Sequence, residues 1–90
     1  NPRALLAWCQ SDLDSMLHCL RQAVEVESPS NAKPAVDQMA AFFAHKIKRL
    51  GGRVRLHRHA RAGTAVTAEF WRARHGQRPL LLLGHLDTVW

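Results

Sequence analysis

Ninety residues, 47% hydrophobic and 22% charged, describe a chain that folds and is not disordered. It can bury one modest core, and no apolar run approaches the ~20 residues that cross a bilayer. The net charge of +6 comes mostly from arginine, spread over helix ends, hairpin and loops without a dense run. That reads as a solvated surface more than as a nucleic-acid site. Cys9 and Cys19 have neither the C-x-x-C spacing of a zinc knuckle nor the numbers of a disulfide framework, and read as buried or idle thiols.

Asn1 to Gln10 is expected to form a short extra helix, or a tail over residues 1–11. Ser11 followed by Asp14 resembles a capping box with Asp in place of Glu. Leu13, Met16, Leu17, Leu20 and Val24 then recur at helical spacing, which predicts a helix from Asp12 to Val24. Its polar side carries Asp14, Ser15, Arg21, Gln22 and Glu25. Ser28, Pro29, Ser30, Asn31 and Pro34 are turn formers and mark a loop.

Pro34 suits the first turn of the next helix, where its missing N–H is not needed. That helix is predicted to reach Leu50, with Val36, Met39, Ala40, Phe43, Ile47 and Leu50 as its apolar stripe. Lys46, Lys48 and Arg49 complement the dipole at its C-terminal end, and Gly51 is the stop.

In "GRVRLHRHA", Val54 and Leu56 alternate with Arg55, His57 and His59, the period of a strand. Gly63 is the expected pivot of the turn that follows. "TAVTAEFW" is the returning strand, with Ala65, Thr67, Glu69 and Trp71 on one face and Val66, Ala68 and Phe70 on the other. "RARHGQRP" reads as a polar turn. Leu80 to His85 is the expected third strand; its apolar residues do not alternate, so both its faces should be covered, as in the middle of a sheet packed by helices. The fold class is therefore α/β: two N-terminal helices, then three strands, reading as the opening of a larger domain.

The chemistry concentrates at the tip of that last strand. His85 and Asp87 stand two apart, on one side of an extended chain, where open α/β sheets keep their sites. A carboxylate beside an imidazole fixes its tautomer and raises the basicity of the other nitrogen, the usual support of a metal-binding histidine. An isolated H-x-D is as readily a simple turn. Here it follows an apolar strand and Gly84, in the string Gly-His-Leu-Asp-Thr-Val.

The string "LLLLGHLDTVW" closely resembles the first metal-binding motif of the M20 zinc metallopeptidases, the glutamate carboxypeptidases and acetylornithine deacetylases among them. "VEVESPS" and "AVDQMAAFFAHKIKRLGG" resemble the family's segments in order and length, so the likeness covers Leu13 to Trp90, with specificity confined to the last ten residues. The resemblance implies that residues 1–90 are the N-terminal portion of a three-layer α/β/α catalytic domain. It implies that His85 is a ligand of one of two catalytic Zn2+ ions and that Asp87 holds and polarises His85 without binding metal. Further implications are hydrolysis of an amide bond, with N-acylated amino acids or short peptides as substrates, and a homodimer as an assembly open to the full-length protein. The "HLDTVW" version looks closest to the glutamate carboxypeptidase branch. The family's bridging aspartate, Glu-Glu pair, further carboxylate and distal histidine lie downstream of the motif. One histidine does not make a catalytic zinc site, which takes three protein ligands and an open position. The 90-residue chain alone is therefore expected to be inactive and not to retain the metal.

The remaining candidates have plainer readings. His57 and His59 have a chelating spacing but no third ligand nearby, and read as exposed hairpin histidines; His75 reads as solvated. His18 and His45 flank apolar helix positions and should be partly buried. Glu25 and Glu27 read as solvated residues at a helix end. Trp71 and Trp90 should pack, Trp90 beside a substrate cleft. The rival class is a small basic α/β binding module, with Arg53, Arg55, Arg58, Arg61, Arg72 and Arg74 along the hairpin and nucleic acid as partner. A non-catalytic remnant, or a partner of another chain, is the third alternative. No element suggests a membrane partner.

Overall fold

A computed structural model describes residues 1–71 and 76–89. Three helices precede a two-stranded sheet: α1 (Pro2–Ser11), α2 (Leu13–Glu25), α3 (Lys33–Arg49), β1 (Arg53–His57) and β2 (Ala65–Glu69). The chain is thus a small mixed α/β structure.

The extra N-terminal helix is present as α1. The Asn1 side chain caps it by accepting from the Arg3 amide at 2.9 Å, and Pro2 occupies its first turn. The Ser11 capping box is not formed. Helix α1 continues through Ser11, whose hydroxyl donates back to the Trp8 carbonyl at 2.7 Å. Asp12 then stands between the two helices and caps α2 without a side-chain bond. The capping signal fails because the residue that would supply it is already helical.

Helix α3 provides the core. Val36, Met39, Ala40 and Ala44 are buried, and the helix lies against both strands of the hairpin. Ala44 completes the stripe in place of Leu50, which is 75% exposed beyond the last turn. Gly51 has φ +94°, the left-handed conformation that glycine adopts without Cβ strain, and Gly51 and Gly52 donate to Lys48 and Ile47 carbonyls to close the helix.

β1 and β2 pair antiparallel with Arg53 opposite Glu69 and His57 opposite Ala65. Val66 and Ala68 are half-buried while Ala65, Thr67 and Glu69 are exposed, so the period-two reading holds for β2; in β1 Val54 is half-buried between exposed Arg53 and Arg55, but Leu56 is 39% exposed where it lines the gap between α3 and the hairpin. Gly63 is not a conformational pivot. It is needed for space: a Cβ there would run into the Val36 side chain of α3.

A second tie joins hairpin to helix. Asp37 Oδ1 accepts from the Thr64 amide at 2.7 Å and from the Thr64 hydroxyl at 2.8 Å, and Oδ2 accepts from Lys33 Nζ at 2.9 Å. The Lys33 and Thr64 donors hold the Asp37 carboxyl at about 2, down from an ordinary 3.8. A carboxylate whose pKa is depressed by folding stabilises the fold above its unfolded pKa, and that contribution is lost as pH falls through the folded one. Acid titration should therefore lower the unfolding midpoint between pH 4 and pH 2, and Asp37→Asn should flatten the midpoint-versus-pH curve in that window. An unaltered curve in the variant would remove Asp37 from the account.

Three expectations are corrected. Leu80 to His85 is not a strand. Leu80, Leu81, Leu82 and Leu83 are between 82% and 92% exposed, because neither a neighbouring strand nor a helix covers them among the described residues. Burying a leucine side chain is worth about 1.5–3 kcal/mol, so this run leaves a large stabilisation unused. His18 and His45 are exposed, not partly buried. For His18 the reason is that the apolar stripe beside it on α2 (Leu13, Met16, Leu17, Leu20 and Val24) is itself exposed. Trp71 does not pack into the core: it is 92% exposed, has φ +49°, and meets the Phe70 ring obliquely at 5.7 Å. Arg72, Arg74, His75 and Trp90 lie outside the described residues, and with the first three most of the polar turn.

Candidate functional site

In the Gly84–Thr88 segment, which forms a single bridge at Thr88, His85 is exposed and Leu86 is half-buried. His85 Nδ1 lies 3.7 Å from Asp87 Oδ1, with the imidazole 92% and the carboxylate 39% exposed. The structure thus brings together the two residues that the sequence singled out. At 3.7 Å the contact is electrostatic and longer than a hydrogen bond. It points Nδ1 toward the carboxylate and leaves Nε2 for another partner. The Ser30 hydroxyl is the main cause that holds the Asp87 carboxyl below the usual carboxylate range; desolvation opposes it, and the Asp87 amide and the His85 imidazole add smaller lowering effects. Asp87 is accordingly an anion at neutral pH.

What fixes this segment was not singled out in the sequence as a contact. The loop between α2 and α3 reaches across 58 residues to meet it. Thr88 N donates to Ser28 O at 2.7 Å and Ser30 N donates to Thr88 O at 3.0 Å, a parallel bridge about Pro29. The Ser28 hydroxyl donates to the Leu86 carbonyl at 2.9 Å, and the Ser30 hydroxyl to the Thr88 carbonyl at 3.2 Å. Ser28 is fully buried. Turn-forming residues announced the loop, but nothing local announces its partner.

No protein-family model matches the chain, and no curated protein or solved structure matches it either. The site must be judged on its own geometry.

A zinc ion can be tested against the donor set. One imidazole with a carboxylate beside its Nδ1 fits a single ligand and its support. Among the described residues no group of three or more His, Cys, Asp or Glu side chains converges. The pair therefore fits one part of a metal site. The His57–His59 spacing yields no chelate. His57 Nε2 is 2.8 Å from the Thr67 hydroxyl, and His59 Nδ1 accepts from the Arg61 and Ala62 amides at 3.1 and 3.0 Å. Both rings are exposed and serve the hairpin, as the plainer reading expects. Glu25 and Glu27 are exposed too, and Cys9 and Cys19 are free and half-buried.

A cavity of about 190 Å³ lies between α3 and the hairpin, lined by Lys33, Asp37, Ala40, Leu56, Arg58 and Thr64 among others. Its carboxylate, Asp37, is already engaged by Lys33 and Thr64. The cavity is the seam of the tie described above.

Proposed function

We propose that this chain carries one metal ligand of a zinc-dependent amide-bond hydrolase, His85, with Asp87 as its positioning carboxylate. The observation that supports this reading is the exposed His85 imidazole with Asp87 beside its Nδ1, on the Gly-His-Leu-Asp-Thr-Val string that resembles the first metal motif of the M20 peptidases. In this reading the Leu80–Leu83 run becomes the third strand of a three-layer α/β/α domain, covered on both faces by chain outside residues 1–90. The remaining ligands and the general base also come from outside these residues.

The roles of the chain's own residues follow from their chemistry. Asp87 keeps a proton on Nδ1 and presents Nε2 as the ligand atom. A metal held by His85 together with ligands from outside these residues would supply a water of lowered pKa and Lewis acidity toward the scissile carbonyl. Substrates are N-acylated amino acids or short peptides, the class that the resemblance implies, and the full-length protein is open to a homodimeric assembly.

A second reading draws on the hairpin. Arg53, Arg55, Arg58 and Arg61 are exposed and form no ion pair among the described residues. They supply phosphate contacts for a basic binding module. Phe70 leans toward α3 and Trp71 stands beyond β2, so the open face lacks the base-stacking aromatics of single-strand binders. The hydrolase reading is preferred.

Metal content and hydrolysis decide between them. The full-length protein should contain about two zinc ions per chain by elemental analysis, and should release amino acids from N-acyl substrates until a chelator is added. A protein without metal or hydrolysis, but with nucleic-acid affinity that falls steeply with salt, would establish the binding module instead.

A further inference from the structure

We propose that Ser28 and Ser30 form a strap that sets the direction in which His85 is presented. The proposal rests on the hydrolase reading for its purpose, and on the geometry of the α2–α3 loop for its substance.

The chain on either side of His85 has little else to hold it. Leu80 to Leu83 are exposed, Val89 is exposed, and the His85 ring itself stands in solvent. Among the described residues, the backbone hydrogen bonds that fix this segment end on Ser28 and Ser30. Thr88 is clamped in both directions, its N–H to Ser28 and its C=O to Ser30. A parallel bridge alone fixes the path at residue 88 and leaves the peptide planes between His85 and Asp87 free to rotate. The Ser28 hydroxyl restricts that freedom. It holds the carbonyl of Leu86, the residue between imidazole and carboxylate, and so pins the Leu86–Asp87 peptide plane from which the His85 segment departs.

The burial of Ser28 argues for a dedicated contact. A hydroxyl withdrawn from water needs a partner, and this one takes a carbonyl 58 residues away, not one of the nearby helix carbonyls that serine commonly uses. Ser30 repeats the arrangement one bridge step on. Its hydroxyl reaches the carbonyl of Thr88, the residue after Asp87. Ser28 and Ser30 are therefore positioning residues: neither needs to touch metal or substrate.

The test uses the full-length protein with Ser28→Ala, Ser30→Ala and Ser30→Thr. Hydrogen–deuterium exchange of the Leu86–Val89 amides is measured first, because it needs no metal. Both alanine variants should exchange there about tenfold faster, the effect of one lost hydrogen bond, while α3 and the hairpin keep their protection. Zinc affinity by chelator competition should weaken by about tenfold in the same variants, the lower end for loss of a group that orients a ligand. Excess zinc should then restore their turnover. Ser30→Thr keeps the hydroxyl and should match the unaltered protein in exchange and affinity. Ser30 is exposed, so its variants keep the test decisive if Ser28→Ala fails to fold. Unchanged exchange at Leu86–Val89 in both alanine variants would overturn the strap. An unaltered protein that takes up no zinc would instead overturn the hydrolase reading, and exchange alone would then decide the strap.

Discussion

On the proposed hydrolase function, His85→Ala in the full-length protein should abolish hydrolysis and lower the zinc content, whereas Asp87→Asn should cost about 10–100-fold in metal affinity or activity. The two variants differ because the residues act differently. Alanine at 85 removes the imidazole, and no group of three or more ligand side chains converges among the described residues to take its place. Asparagine at 87 keeps the size of the side chain but removes the charge beside Nδ1, so the ring stays available with a weaker preference for the required tautomer. Zinc analysis and kcat/KM on one set of N-acyl substrates check both. Equal losses in the two variants would place Asp87 on the metal; an active, zinc-replete His85→Ala would end the assignment of His85.

Gly63→Ala should be the most damaging small substitution in the fold, destabilising it by about 1–3 kcal/mol as overpacking does. Its Cβ would occupy the place of the Val36 side chain, which is buried at the start of α3. The neighbouring Thr64 carries both bonds to Asp37, so a shift at 63 also strains the tie between hairpin and helix. Urea denaturation read by far-ultraviolet circular dichroism gives the difference directly. Val36→Ala in the Gly63→Ala background should recover part of the loss by opening space, the signature of a steric cause. A Gly63→Ala protein as stable as the original would show that the loop moves aside without cost. Gly51→Ala makes a useful contrast: nothing lies near its Cβ, so any loss there is conformational strain from φ +94°.

Local chemistry made much of this chain legible. Three helices, a glycine stop at Gly51 and the antiparallel hairpin are consequences of spacing, caps and turn formers within a few residues of each other. The pairing of His85 with Asp87 was legible too, because an i, i+2 relation in extended chain is a local fact. The Ser11 cap was misread because α1 had claimed that residue first.

Tertiary structure decided the rest. Gly63 was read as a turn residue, yet its requirement comes from Val36, 27 positions earlier. Leu80–Leu83 has the composition of a covered strand, but covering is a property of neighbours, and here they are not among the described residues. Ser28 looked like any loop serine until the fold placed its hydroxyl on the Leu86 carbonyl. Which residues bear the candidate chemistry, and which segments are helical, could be read from near neighbours in the chain. What holds that chemistry in place could not, because the contacts concerned join residues far apart in the chain and leave no local pattern to read.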